Sequence, residues 1–359
     1  MNAPDRAVWR SRGEVAVLGT GAALPGEPLA TAALLDRLGD GLGPRERGLA
    51  LAVARRLGVE TRHVSRAWRQ RIEGPADGVS NPDLAAHALV EALRNASLQA
   101  GDLGYLITHT ATPAQPLPAG AAMVADRIGY RGPHIEIRQA CTGFANALMI
   151  AFGLLSEPGA PPVAIVGSET GSVFLDVQTL SERKDQIVNL VQMGDGAGAI
   201  VLGPAERGGD RLSGAWYGAI GLGRAPGLQM ARGGSSDPAS GEGPLYFAHD
   251  FAAIAHHGAR LFEAAASAAA SQGLRPADAD IIIPHQASGR IAVQLASHFG
   301  LCADRVFVNA DRVGNTGSAA MWIALHDLRT CGRAAKRRVL ALGAEATKYM
   351  HGGFIHDGA

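Results

Sequence analysis

Two short triplets, Cys141-Thr142-Gly143 and Asn315-Thr316-Gly317, stand 174 positions apart. Each follows an apolar, strand-like run and precedes an Ala-rich stretch with helical spacing. At the same separation Ile107 falls on Ile281, and Ile165 falls on Val339. Matching pieces in one order at one offset mark an internal duplication, which sets the architecture before any local reading does. The two halves are expected at 1–204 and 205–359. The Gly- and Pro-rich stretch 203–250, with weak periodicity, reads as the crossing between them.

Within each half, strand patterns alternate with helix patterns. Residues 14–21, 105–108, 135–137, 162–167, 280–283, 306–308 and 339–343 read as strands. Residues 45–57, closed by Gly58, read as helix, as do 84–100, 145–155, 251–273, 288–299 and 318–328. The charged stretch 62–78, with Trp68, reads as a surface loop. The tail Met350-His351-Gly352-Gly353-Phe354 reads as a glycine turn. Alternating strands and helices predict an α/β fold with mainly parallel, buried sheets.

Composition narrows the function. The 359 residues include 33 basic and 33 acidic side chains, so no overall basic surface points to nucleic acid. No apolar run approaches the roughly 18 residues of a membrane span. Residues 1–13 lack the apolar core of a secretory signal, and Cys141, Cys302 and Cys331 show no metal-ligand spacing. An odd count of three cysteines suits a reducing compartment, so a cytoplasmic protein with no metal and no cofactor is expected. Gly19-Thr20-Gly21 is followed by Leu24 where a dinucleotide loop needs a third glycine, which argues against a nucleotide site.

The chemistry is carried by three residues, each placed after a strand. Cys141 stands where a helix begins, and free N–H groups there favour a thiolate nucleophile for acyl transfer. His285 follows the strand 280–283, and Asn315 lies between glycines. Taken singly, each has a plain structural reading: a buried thiol, a loop histidine, a turn asparagine. As an ordered triple they suit thioesters. Cys141 takes an acyl group, while the neutral imidazole and the amide hold the carbonyl of a second thioester where charge develops. Asparagine, where an aspartate would make His285 more basic, leans toward condensation rather than hydrolysis.

With these pieces the sequence resembles the thiolase superfamily, and within it the β-ketoacyl-acyl carrier protein synthase III family. The resemblance rests on Val17-Leu18-Gly19-Thr20-Gly21, Gly58-Val59-Glu60-Thr61-Arg62-His63 and Ala140-Cys141-Thr142-Gly143-Phe144. It continues through Met193-Gly194-Asp195-Gly196, Pro284-His285-Gln286-Ala287, Gly314-Asn315-Thr316 and Gly352-Gly353-Phe354. It implies a five-layered αβαβα duplication, usually a homodimer, with Cys141 as nucleophile and His285 and Asn315 as donors in decarboxylation of a malonyl thioester. It further implies an oxyanion hole from the N–H groups of Cys141 and Gly353. Acyl-CoA or acyl carrier protein would be the partners, with Leu117, Phe144, Ser288 and Arg290 toward substrate and Arg224 and Arg232 as further docking candidates. The family's adenine-stacking Trp position falls near Ala52, Ser288 replaces an Asn, and Gly317 intervenes before Ser318-Ala319-Ala320. These departures point away from acetyl-CoA priming of fatty acid synthesis and toward polyketide or other secondary metabolism. Two alternatives stay open on the same scaffold. One is acyl transfer or joining of two chains without CO₂ loss, and the other is a silent partner subunit.

Overall fold

In the computed structural model, residues 7–66, 78–175, 180, 183–205, 209–230, 232–234 and 245–359 are described. Residues 67–77 of the expected surface loop, Trp68 included, lie outside them.

The apolar runs form one ten-stranded sheet path. Its strands are β1 (Val8–Arg10), β2 (Val15–Ala23), β3 (Tyr105–Thr110), β4 (His134–Arg138), β5 (Val163–Glu169), β6 (Gly196–Pro204), β7 (Arg211–Ala219), β8 (Ile281–Pro284), β9 (Arg338–Glu345) and β10 (Met350–Asp357). The order is β8-β9-β10-β7-β2-β6-β5-β3-β4, with β1 paired to β7. The path divides at a short junction where Val15 meets Leu212 and Ala16 meets Arg211.

Each side of that junction repeats the other. Ile107 pairs with Ile165 across parallel strands β3 and β5, and Ile281 pairs with Val339 across parallel strands β8 and β9. These are the residues related by the 174-residue offset. In both halves an antiparallel strand follows: β6 beside β5, and β10 beside β9. The β4 position is matched in the second half by a single bridge, Ile282 to Val306, where a strand is expected at 306–308.

Helices complete five layers. Helices α1 (Thr31–Arg37) and α2 (Pro44–Leu57) lie to one side, with Gly58 in the left-handed region at φ +67° closing α2. Helix α3 (Asn81–Asn95), capped by Ser80, and α4 (Gly120–Ile128) cover the first sheet. Helix α6 (Lys184–Gln192) packs on α2. On the second sheet lie α7 (Phe251–Ser271) and α8 (Ile291–Phe299). Between the sheets sit α5 (Gly143–Leu155) and α9 (Ala320–Thr330), which touch strands of both. Helix α5 is apolar nearly all round, and α9 is apolar and buried over its first six residues, which is the pattern of helices with little wet face. Phe144, Trp322 and Phe354 lock them together, with ring centroids 5.7–5.9 Å apart. Among the described residues no helix is long and apolar enough to cross a membrane.

Two glycine-rich readings are corrected. The tail around Gly352-Gly353 is the strand β10, and the stretch 203–250 contains the nine-residue strand β7. The glycines serve close approach, not a turn. A Cβ on Gly352 would lie 2.4 Å from Ala145 Cβ, and one on Gly353 would lie 2.2 Å from Trp216 Cζ2. Helix α3 starts earlier and ends earlier than 84–100, because Ser97 takes φ +54° after Asn95.

Buried histidines make the fold acid-sensitive. His109 in β3 accepts the Trp322 indole N–H at 3.0 Å, and burial holds its imidazole down at about 3. His285 is held at about 4 for the same reason. Both are neutral when folded and titrate near 6.5 when unfolded, so unfolding takes up protons below that pH and stability falls as pH drops toward 4. Each contributes about 1.4 kcal/mol per pH unit in that window. Urea unfolding of His109→Gln between pH 6.5 and 4 should show a slope flatter by roughly that amount.

Candidate active site

Three loops bring the sequence-predicted residues to one hollow. Cys141 follows β4 and the turn Gln139-Ala140, at the head of α5. His285 leaves the end of β8, where its N–H donates to Leu342 O at 2.8 Å. Asn315 precedes the tight turn Gly317–Ala319 that leads into α9. Cys141, His285 and Asn315 all line a cavity of about 530 Å³. Its wall is otherwise mostly apolar, with side chains from α2, α6, α7 and α8, and among the described residues it carries no Lys or Arg.

The loops are tied to one another. Gln192 accepts the Asn315 N–H on its carbonyl at 2.8 Å and donates its side-chain amide to Ala287 O at 2.7 Å, joining the Asn and His loops. Ser318 Oγ bonds Gln139 O at 3.1 Å and also the Glu169 carboxylate, joining the Asn and Cys loops. Glu345, at the end of β9, accepts both the N–H and the hydroxyl of Thr142 at 2.7 Å. The Gly-Asp-Gly motif is also structural. Asp195 accepts the N–H and hydroxyl groups of Ser65 and Ser172 at 2.5–3.0 Å, and β6 starts from that anchor.

Gly317 has a geometric reason. It takes φ +51°, and a Cβ there would come 2.8 Å from Glu169 Cγ. Its N–H donates to Asn315 Oδ1 at 3.1 Å. With the amide oxygen held in this way, the Asn315 NH₂ is left to donate.

Electrostatics set the resting protonation. Burial pushes the Cys141 thiol well above its usual value, and the carboxylates of Glu345 and then Glu169 push the same way. The free protein therefore carries a thiol, where the helix end alone would favour the thiolate. His285 is neutral near pH 7, and its Nδ1 has no protein partner among the described residues.

Other expected positions fall elsewhere. Gly353 lies within β10, in register with Leu342 on one side and Trp216 on the other, and is not among the residues that line the cavity. Phe144 is fully buried in the aromatic trio and does not face substrate space. Leu117 is 85% exposed and, within one chain, touches neither hollow. Ser288 is buried off the cavity, and its carbonyl accepts the Ile291 N–H at 3.2 Å. Arg290 is exposed against Gly58, flanked by the lining residues Leu57 and Ile291, which puts it at the rim. Arg224 and Arg232 lie off the wall, and the Arg224 guanidinium meets His257 at 2.9 Å. Glu345 and Gln192 are wall residues that pattern reading missed. The only signal for Glu345 is an acid two residues beyond the strand read at 339–343.

A duplicated αβαβα sandwich with this site is the architecture of the thiolase-type condensing enzymes. Comparison with known proteins agrees. The family model for 3-oxoacyl-[acyl-carrier-protein] synthase III matches residues 135–221, and that for its C-terminal part matches 269–355. The β-ketoacyl-[acyl-carrier-protein] synthase III of Rhodospirillum centenum is 32% identical over 86% of this chain and 88% of its own. That of Rhizorhabdus wittichii is 30% identical over 96% and 97%. The chain belongs to the β-ketoacyl-acyl carrier protein synthase III family. Among solved structures, the tetronic acid condensing enzyme AbyA1 is 28% identical, with a TM-score of 0.83 over 96% of this chain and 100% of its own. OleA of Xanthomonas campestris, at 20% identity and a TM-score of 0.78 over 96% and 98%, shares the fold.

Phe144→Ala should cost about 3–5 kcal/mol of stability, as a buried aromatic does. The Tm reads this, and the preferred acyl length should stay unchanged. Gly317→Ala should lower the Tm by several degrees, because the left-handed turn and Glu169 both oppose a Cβ.

Proposed function

We propose that the chain condenses two acyl thioesters through an acyl group held on Cys141. The observation that carries this reading is the convergence of Cys141, His285 and Asn315 on one apolar cavity. An acyl thioester enters the cavity, and the Cys141 sulfur attacks its carbonyl as the thiol proton leaves toward the neutral imidazole of His285. The backbone N–H of Cys141 faces the developing oxyanion. Coenzyme A or the carrier thiol departs. A second thioester then places its carbonyl oxygen against His285 and the Asn315 NH₂, which hold the enolate that attacks the Cys141 ester. The residues 1–204 thus supply the nucleophile, and 205–359 supply the donors.

Acyl-CoA or acyl carrier protein delivers the acyl groups, and no resident metal or cofactor is needed for these steps. Arg290 at the rim suits an acidic carrier. The loop 112–119, whose Leu117 is exposed, suits contact with a second copy in a cytoplasmic homodimer. Loss of CO₂ from a malonyl group is one source of the enolate. The second source is deprotonation without CO₂ loss, favoured by the carboxylate of Glu345 on the cavity wall. The resemblance to a tetronic acid condensing enzyme supports a place in secondary metabolism.

Incubating the protein with a panel of acyl-CoA and acyl carrier thioesters should add the acyl mass to the Cys141 peptide. Cys141→Ala should abolish both loading and product, and product from that variant would overturn the nucleophile's role. Asn315→Ala should load normally but lower kcat for condensation by about 10²–10³-fold.

A further inference from the structure

Among the described residues the cavity wall carries one acidic side chain, Glu345, and no Lys or Arg. Glu345 also lines a second hollow of about 370 Å³, so it stands between two chambers. Its hydrogen bonds fix it there. Oε2 accepts the N–H and hydroxyl of Thr142, and Oε1 accepts the hydroxyl of Thr347. Thr142 is in turn fixed by the Gln139 side-chain amide at 2.8 Å, and Gln139 by Asn146 at 3.1 Å. A carboxylate offers about four acceptor sites, so three donors leave one on Oε1.

Glu169 provides the contrast. It accepts four donors, from Ala111, Thr112 and twice from Ser318, and it lines neither hollow. Glu169 is a brace. Glu345 is a braced carboxylate with a site to spare beside the nucleophile.

This placement bears on the second substrate. A malonyl carboxylate would enter a chamber where, among the described residues, the one carboxylate is Glu345 and no Lys or Arg offsets it, next to a neutral His285. A decarboxylating enzyme gains nothing from a base, because CO₂ loss itself creates the enolate. A condensation that keeps the carbon needs one. A carboxylate is a weak base, so the carbon acid must be activated by two flanking carbonyls.

We propose that Glu345 is the general base of a non-decarboxylating condensation whose second substrate is a β-ketoacyl thioester. The proposal rests on the condensing reading above. Oε1 takes one α-proton from the β-ketoacyl thioester. The enolate carbon attacks the acyl carbonyl on Cys141, the carbon–sulfur bond breaks, and the sulfur leaves as thiolate. The proton on Glu345 returns to that sulfur. Acyl-Cys141 and the β-ketoacyl thioester become one branched diketoacyl thioester and a free thiol, with no CO₂ and no net redox change.

The test uses the full protein, an octanoyl thioester on CoA and on carrier protein, and then 3-oxooctanoyl-CoA or malonyl-CoA. Wild type should load octanoyl on Cys141 and give product with 3-oxooctanoyl-CoA without CO₂. Glu345→Gln should still load but lose about 10²–10⁴-fold in condensation, the usual worth of a general base. Its Cys141 should also alkylate faster with iodoacetamide at pH 7, because a charge that holds the thiol protonated is gone. A helix-capping role alone would not move condensation and alkylation in opposite directions. Glu345→Asp keeps the charge, so it should alkylate like wild type and recover part of the condensation. It is read in place of Glu345→Gln if that variant does not fold. Condensation by Glu345→Gln at the wild-type rate overturns the proposal, as does CO₂ release from malonyl-CoA matching product in both proteins. Absence of loading in wild type overturns the condensing reading itself and is a separate outcome.

Discussion

Everything about this site depends on two apolar helices fitting between two sheets. Helices α5 and α9 have little wet face, and their heads carry Cys141 and lead from Asn315. The fit is close because the facing strands are trimmed to glycine at Gly343, Gly352 and Gly353, where added Cβ atoms would strike Phe144, Ala145 and Trp216. Interiors pack at crystal density, so such clearances translate directly into where a helix end stands. The duplicated fold aims two helix heads into one cavity. The second half adds His285 from the strand equivalent to β3.

Around that cavity, polarity is rationed. Among the described wall residues Glu345 is the one acid, and no Lys or Arg stands beside it. In such surroundings one charge acts over the whole chamber with little screening. Burial first, then this charge and that of Glu169, keep the Cys141 thiol protonated at rest, and a negative wall group disfavours anionic guests. The bonds through Gln192, Ser318 and Thr142 tie the loops of Cys141, His285 and Asn315 to one another across both halves.

Much of this was legible in the chain. Alternating apolar runs give the strands and helices. The shared offset gives the duplication, and the ordered Cys, His and Asn after strands give the three cavity residues. Glycine was the main source of error. Gly352-Gly353 and the stretch around Gly214 and Gly218 look like turns, yet they are strand positions thinned for a helix or a neighbouring ring. Phe144 follows the nucleophile closely in sequence, but the helix turns it into the aromatic core. Glu345 was invisible because an acid after a strand means nothing until three dimensions show which loop it braces and which hollow it borders.

Strand β4 closes the sheet path, with β3 on one side and, among the described residues, no strand on the other. Cys141 comes three residues after that strand ends. The row of backbone groups on an open edge invites another strand. Whatever docks along it would stiffen the segment that leads to Cys141. Assembly at this edge and the reach of the sulfur are thus mechanically one variable, set by the last strand of the sheet.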